Sequence, residues 1–491
     1  MRIEKMKLSN FIGRKEELKQ LNLLLDKRSA SLVVVRGRRR VGKSRLIEEF
    51  AKKHRFLRFS GIPPTNDVTA QSQRDIFFQQ LGQQVQLPWN PAGWESKNWS
   101  SLFYALAEQT REGRVIILFD EISWMGSHDP LFLGQLKNAW DMEFKKNDKL
   151  ILIFCGSVST WIEKNIIKST GFFGRISSYL TLGELPLSDC NLFIEKQGFI
   201  GTTYDKLKLL SVTGGIPSYL EQIQPKLNAD DNIKNVCFRK DGVLVNEFDL
   251  IFHDLFTKRS ELYKKIIEKL ADGPLELNDL HKELSYQKSG VMGEYLDELV
   301  KARFIKRDYT WLVKSGEESR LSHYRLSDNY LRFYLKYVEN NRVKIEKDGF
   351  RDTPLSTLPG WDTIMGFQFE NLVLNNRQRL WQLLKITPGD IVADNPFFQR
   401  KTSTQKGCQV DYLIQTRNKL LFICEIKFSR NEIKGSVVEN MKEKIRRISI
   451  PKGFALSPVL IHVNGVEDAL TDSDYFAHVI DFGSLLESDL K

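Results

Sequence analysis

Residues 37–44 read Gly37-Arg38-Arg39-Arg40-Val41-Gly42-Lys43-Ser44, the residue types a triphosphate needs at the spacing it needs them. Glycines let backbone N–H groups turn onto phosphate oxygens, a lysine reaches the β and γ oxygens, and a serine hydroxyl ligates magnesium. This segment, with Arg45 opening the helix behind it, is predicted to be a P-loop that cradles ATP and Mg2+. Asp120-Glu121 closes the apolar run 115–119. There Asp120 is expected to hold the magnesium shell and Glu121 to polarise the attacking water. Ser157 follows Cys155-Gly156 at the end of another apolar run, where its hydroxyl either touches the γ-phosphate or lytic water, or caps the next helix. Arg175, after Gly174, is either a cation for the transferring phosphoryl group or a surface ion-pairing residue. The turn Gly214-Gly215-Ile216-Pro217 either approaches the nucleotide or joins two helices.

A second set of chemical groups lies far downstream. Asp411 sits in the apolar run 410–414, the polar turn Arg417-Asn418-Lys419 reverses the chain, and 421–427 returns with Glu425-Ile426-Lys427. Residues two apart on a strand share a face, so Glu425 and Lys427 point the same way, with Asp411 opposite on the hairpin. Glu370 precedes them on a helical stretch whose apolar side carries Phe367, Phe369, Leu372 and Val373. Asp411 and Glu425 can hold one or two divalent metals, Mg2+ or Mn2+, while Lys427 positions water or neutralises charge. An ordinary amphipathic hairpin with surface charges has the same local pattern. Lys434, Lys442, Lys444, Arg446 and Arg447 follow on a helix that either offers phosphates a basic face or is merely solvated.

The elements that must position these groups follow from the apolar pattern. The β-branched run 32–35 feeds the glycine loop and 45–53 reads as a helix, which is the strand-loop-helix context a phosphate cradle requires. Residues 189–255 show helical periodicity without strand candidates, as a helical lid would. From Glu261 the order is helix 262–270, turn at Gly273-Pro274, helix 278–284, helix 290–302, then strands near 304–308 and 324–326, a winged-helix pattern. Its third helix carries Glu294, Asp297 and Glu298, which phosphates repel, so a protein-docking or spacer role is favoured over groove reading. Arg303, Lys306 and Arg307 on the wing side could still meet a DNA backbone. Residues 341–360 mix charges with prolines and read as a linker.

The chain of 491 residues is too long for one core and is expected to form three or four domains. A net charge of +11 favours a polyanionic partner without naming it. Apolar runs are far shorter than a membrane span and the first residues carry no apolar leader, so a cytoplasmic protein is expected. The five cysteines are scattered and form no C-x-x-C pair, which removes zinc and dithiol chemistry from the candidates.

Phe11-Ile12-Gly13-Arg14, the 37–44 loop, Asp120-Glu121, Gly156-Ser157, Gly174-Arg175 and Gly214-Gly215-Ile216-Pro217 together resemble the archaeal-type ATPase family, an AAA-like branch of P-loop ATPases related to the STAND class. The resemblance implies a parallel sheet ordered 5-1-4-3-2, a helical lid, adenine contacts from Phe11, Gly13 and Arg14, and nucleotide sensing by Arg175 and Gly215. Glu370, Asp411, Glu425 and Lys427 resemble the PD-(D/E)xK restriction-endonuclease-like superfamily, in the version fused C-terminally to this ATPase family, with Val410-Asp411 in place of Pro-Asp. The resulting α/β organisation is an ATPase core (1–188), lid (189–255), winged helix (256–340), linker (341–360) and nuclease-like domain (361–491). It implies a nucleotide-controlled, metal-dependent nuclease acting on DNA. The alternative is a STAND-like switch that binds protein or nucleic-acid partners without cutting.

Overall fold

The computed structural model describes residues 11–65, 67–85, 98–157, 160–255, 260–285, 290–403 and 405–487. The chain divides into two compact units, Met1–Gly183 and Glu184–Lys491.

In the first unit β1 (Ser31–Gly37), β2 (Arg55–Ser60), β3 (Val115–Asp120), β4 (Leu150–Ser157) and β5 (Ile176–Leu182) form a parallel sheet ordered β2-β3-β4-β1-β5. This is the expected order counted from the opposite edge. The strand sequences VIILFD and LILIFCGS are buried at every position, because a parallel sheet covered on both faces leaves no polar side to alternate with. Phe77, Trp99, Phe103, Phe119 and Phe132 stack edge and face against one another over the sheet. Because all five strands run the same way, the ends of β1, β3 and β4 open on one edge.

The second unit begins with helices Leu187–Lys196, Thr203–Thr213, Ala229–Cys237 and Glu247–Leu255. Then come helix Ser260–Ala271, β6 (Leu275–Glu276), helices Leu277–Glu283 and Gly290–Lys301, β7 (Ile305–Trp311) and β8 (Glu318–Leu326), with sheet order β6-β8-β7. The stretch expected to be a linker carries short helices and buried side chains. Helix Arg342–Glu346 and the turn Leu355–Thr357 bury Ile345, Phe350, Leu355 and Leu358, whose irregular spacing hides them from any periodicity search.

Helix Trp361–Asn375 leads into β9 (Ile391–Gln399), β10 (Cys408–Thr416), β11 (Leu420–Lys427), helix Ser436–Arg447, β12 (Ala455–His462) and β13 (His478–Asp481). The sheet is ordered β13-β12-β11-β10-β9, antiparallel on the β9 side of β11 and parallel on the other. Trp311, the last residue of β7, and Val313, two residues after it, complete its apolar core beside Phe397 and Leu413. Trp311 Nε1 donates to Gln415 Oε1 at 2.6 Å, so the buried indole leaves no orphan donor.

Candidate nucleotide site and C-terminal carboxylate cluster

β1 ends on Gly37, where a Cβ would stand 2.8 Å from the Leu182 carbonyl oxygen. Only glycine lets the chain leave the sheet there. The loop takes left-handed backbone at Arg40 (φ 65) and Gly42 (φ 89), and Gly42 is the N-cap of helix Lys43–Ala51 without any side-chain cap. The first-turn N–H groups of that helix are therefore left for an anion.

Lys43 is 7% exposed, and its Nζ donates to the carbonyls of Gly37 at 3.0 Å and Arg38 at 3.1 Å, folded over the loop. Ser44 Oγ donates to Asp120 Oδ2 at 3.0 Å. The hydroxyl and carboxylate that Mg2+ would share thus converge already, and both are the hard oxygen donors that cation takes. Arg58 on β2 donates to the same Asp120 oxygen at 2.7 Å and to Glu48 at 2.8 Å, anchoring the carboxylate to the loop helix. Glu121 takes a left-handed conformation (φ 49), and its Oε2 lies 3.8 Å from where a Gly156 Cβ would be. The close approach there is to Ile162, whose Cδ1 would stand 2.7 Å from such a Cβ. Ser157 pairs with Gly37 across β4 and β1; its buried hydroxyl has no hydrogen-bond partner among the described residues. An unpaired buried hydroxyl costs about 1–3 kcal/mol, which a phosphate or water at this edge would recover.

Residues 11–223 match the family model described as an ATPase domain predominantly from Archaea. The match supports ATP binding and hydrolysis by this segment. Over 383 residues the chain is 25% identical to an uncharacterized protein of Methanocaldococcus jannaschii (MJECL04), covering 77% of this chain and 81% of that one. A 50-residue segment is 42% identical to the uncharacterized ATP-binding protein MJ0423 of the same organism, 10% of this chain and 85% of that one. Among solved structures, the Walker-type ATPase PABY2304 of Pyrococcus abyssi shares the fold at a TM-score of 0.50 and 17% identity, over 66% of this chain and 96% of that one. No helix among the described residues is long and apolar enough to cross a membrane.

The other residues expected to meet the nucleotide make contacts of their own. Arg14 is buried and donates to the carbonyls of Val41 at 3.0 Å and Gly183 at 2.5 Å, bracing the loop from the protein side. Phe11 is half-buried, and Gly13 takes φ 75. Arg45 is exposed, 3.8 Å from Glu48. Arg175 forms a two-pronged pair with Asp141, Nε to Oδ1 at 2.9 Å and the terminal nitrogen to Oδ2 at 2.8 Å. The Arg175 guanidinium holds the Asp141 carboxyl well below the usual carboxylate range, against the opposing effect of burial. This is the ion-pair alternative. Arg175→Ala is accordingly expected to leave turnover at saturating ATP within about three-fold of wild type while lowering the melting temperature, since partly exposed pairs contribute about 1 kcal/mol or less. A large loss of turnover with an unchanged melt would restore the phosphoryl-transfer role. Gly215 has a structural reason of its own: a Cβ would stand 2.5 Å from the Leu185 carbonyl oxygen, and Leu185 N donates to Gly215 O at 2.7 Å.

In the second unit Asp411, Glu425 and Lys427 do come together. Asp411 Oδ2 accepts the Ile426 N–H at 3.0 Å across β10 and β11, and Lys427 Nζ is 2.7 Å from Glu425 Oε1. A further cation joins them. Lys444, on helix Ser436–Arg447, donates to Asp411 Oδ1 at 2.9 Å and lies 2.5 Å from Glu425 Oε2. Burial works against the Lys444 ammonium, but Asp411 and Glu425 outweigh it and raise its pKa above the ordinary lysine range. Sequence reading placed Lys444 on a generic basic face. The missed signal is its position in the stripe Val437, Met441, Lys444, Ile448, where the three other members are buried and apolar.

No group of three or more His, Cys, Asp or Glu side chains able to hold a metal ion occurs among the described residues. The donor set at this cluster is two carboxylates with an ammonium standing between them. Their chemistry fits a divalent cation whose other positions are filled by water and phosphate.

Glu370 lines a small cavity with Arg325, Arg332, Gln409 and Asp411. Burial, then the Asp411 charge, raises its pKa to about 7, with Arg332, Arg325 and Lys427 opposing. A carboxyl whose folded pKa lies above its unfolded value stabilises fully below the unfolded pKa, and that stability is lost as pH rises through the folded pKa. Glu370→Gln should therefore melt near wild type at pH 4 and gain on the order of 1–3 kcal/mol over it by pH 8. Parallel pH profiles of the two melts would contradict the placement.

An open cleft of about 660 Å³ adjoins the cluster, lined among others by His323, Phe398, Arg400, Lys427, Lys444 and Arg447. Lys306, on the wing side, bonds to Asn375 Oδ1 at 2.9 Å. Burial, with Arg325 and Arg377 adding to it, lowers its pKa to about 8. Arg307 bonds Ser322 and packs over Tyr309 and Tyr324, whereas Arg303 is exposed.

Proposed function

We propose that this protein couples ATP binding and hydrolysis at residues 37–44 to a C-terminal, metal-dependent nuclease-like domain that acts on DNA in the cytoplasm, as a defence or DNA-processing effector. The observation carrying this reading is the convergence of Asp411, Glu425 and Lys427 beside an open, partly basic cleft. In this reading residues 1–188 are the AAA-like, STAND-related core, 189–255 its lid, 256–340 a winged helix and 361–491 the nuclease-like domain. Gly37 to Ser44 bind the phosphates, Ser44 and Asp120 hold Mg2+, Glu121 orients water, and Ser157 takes the γ-phosphate side. At the C-terminal site Asp411 and Glu425 would hold Mg2+ or Mn2+, which supplies Lewis-acid activation of a phosphodiester. Lys427 there faces the cleft at 41% side-chain exposure, placed to orient water or balance phosphate charge. Glu370, kept protonated to near neutral pH, stands behind Asp411 as a proton donor or acceptor.

Exposed Glu294 and Asp297 on helix Gly290–Lys301 direct the winged helix toward a protein partner, because phosphate would be repelled there. Incubating the full chain with plasmid, linear and single-stranded DNA, with Mg2+ or Mn2+ and with or without ATP, tests the reading. Cleavage that depends on metal and changes with nucleotide supports it. A second reading, a switch that binds partners without cutting, is favoured by one observation: Lys444 already neutralises both carboxylates. ATP-dependent partner binding without cleavage is its expected result.

A further inference from the structure

From the carboxylate cluster we infer that Lys444 is a resident counter-cation of the Asp411–Glu425 pair, and that Lys444 and a divalent cation exclude each other at that position. The inference rests on reading this cluster as a metal site.

The two carboxylates approach from adjacent strands with little solvent, their side chains 13% and 2% exposed, so leaving both unneutralised would be costly. Lys427 cannot serve both, because it contacts Glu425 on the Oε1 side and is itself 41% exposed. Lys444 spans the gap. It lies 2.5 Å from Glu425 Oε2, a buried oxygen whose close partner is this ammonium, and 2.9 Å from Asp411 Oδ1, so it occupies the position between the two carboxylates. A metal placed there would meet a like charge within contact distance, and both cannot stay.

The lysine has somewhere to go. Its side chain borders the open cleft, and a flexible four-carbon stem can carry the ammonium out while the helix stays packed through Val437, Met441 and Ile448. Displaced into the cleft, the ammonium would stand where a phosphodiester approaches. Metal and an anionic substrate would then favour the same swung-out rotamer and bind with positive cooperativity.

The test is Mn2+ binding to the nucleotide-free full chain, read by the electron paramagnetic resonance signal of free Mn2+. Lys444→Met keeps the stem and removes the charge. It should bind Mn2+ about ten-fold more tightly than wild type, and the gain should vanish in Lys444→Met/Asp411→Asn. In EDTA, Lys444→Met should melt lower than wild type, and Mn2+ should restore it. Lys444→Arg, which keeps the charge, should bind as weakly as wild type and guards against a variant that fails to fold. Equal, Asp411-dependent affinity in wild type and Lys444→Met would overturn the exclusion while leaving a metal site in place. Arg binding as tightly as Met would overturn it also. Absence of Asp411-dependent Mn2+ binding in every variant overturns both the exclusion and the metal site. Tight binding by Lys444→Met with plasmid left uncut by every form supports the exclusion and removes the nuclease reading.

Discussion

Lys43→Ala is expected to lower ATP turnover roughly 100- to 1000-fold, the loss associated with removing one preorganised charge from a transition state. The ammonium is buried and rests on two loop carbonyls, Gly37 O and Arg38 O, within reach of the place where β and γ oxygens would lie. Removing it costs those two hydrogen bonds as well, about 1 kcal/mol each, so a thermal melt must accompany the rate measurement. A folded variant that keeps turnover within a few-fold of wild type would refute the assignment of residues 37–44. Glu121→Gln separates binding from chemistry in the same domain. Asp120 stays on Ser44 and Arg58, so ATP should bind with near-normal affinity while hydrolysis is lost. Loss of binding along with hydrolysis would mean that Glu121 belongs to the nucleotide cradle.

Asp411→Asn and Lys427→Ala should each abolish metal-dependent DNA cleavage while leaving ATP hydrolysis within about two-fold of wild type, because the residues lie in a different compact unit from the P-loop. Asparagine is the cleaner change at 411. Asp411 Oδ2 accepts the Ile426 N–H, and an amide oxygen can keep that bond where alanine would orphan a buried donor. Cleavage that survives both substitutions would make the hairpin a scaffold and leave the partner-binding switch as the account of this unit. Cleavage lost together with ATPase activity would point to misfolding, which the melt distinguishes.

Residue order alone determined the parts of this protein whose physics is local. A glycine loop between a buried strand and a helix must be contiguous, so residues 37–44 are legible as they stand, and Gly37 and Gly42 sit where close approach and positive φ demand them. Strand alternation likewise places Glu425 and Lys427 on one face before any fold is known. The tertiary structure decided which charge meets which. Arg175 finds Asp141 34 residues away, Arg14 reaches Gly183 across 169, and Lys444 meets Asp411 across 33. Periodicity marks the buried side of an element, but it carries no information about the partner that will face that side. Lys444 shows the difference most plainly: its place in an apolar stripe turns it toward the protein, and only the packing of its helix on β10 makes it the ammonium between two carboxylates. The same limit hid the packed stretch around Ile345 and Phe350, where Phe350 meets Phe238 from more than a hundred residues upstream rather than following a repeat along the chain.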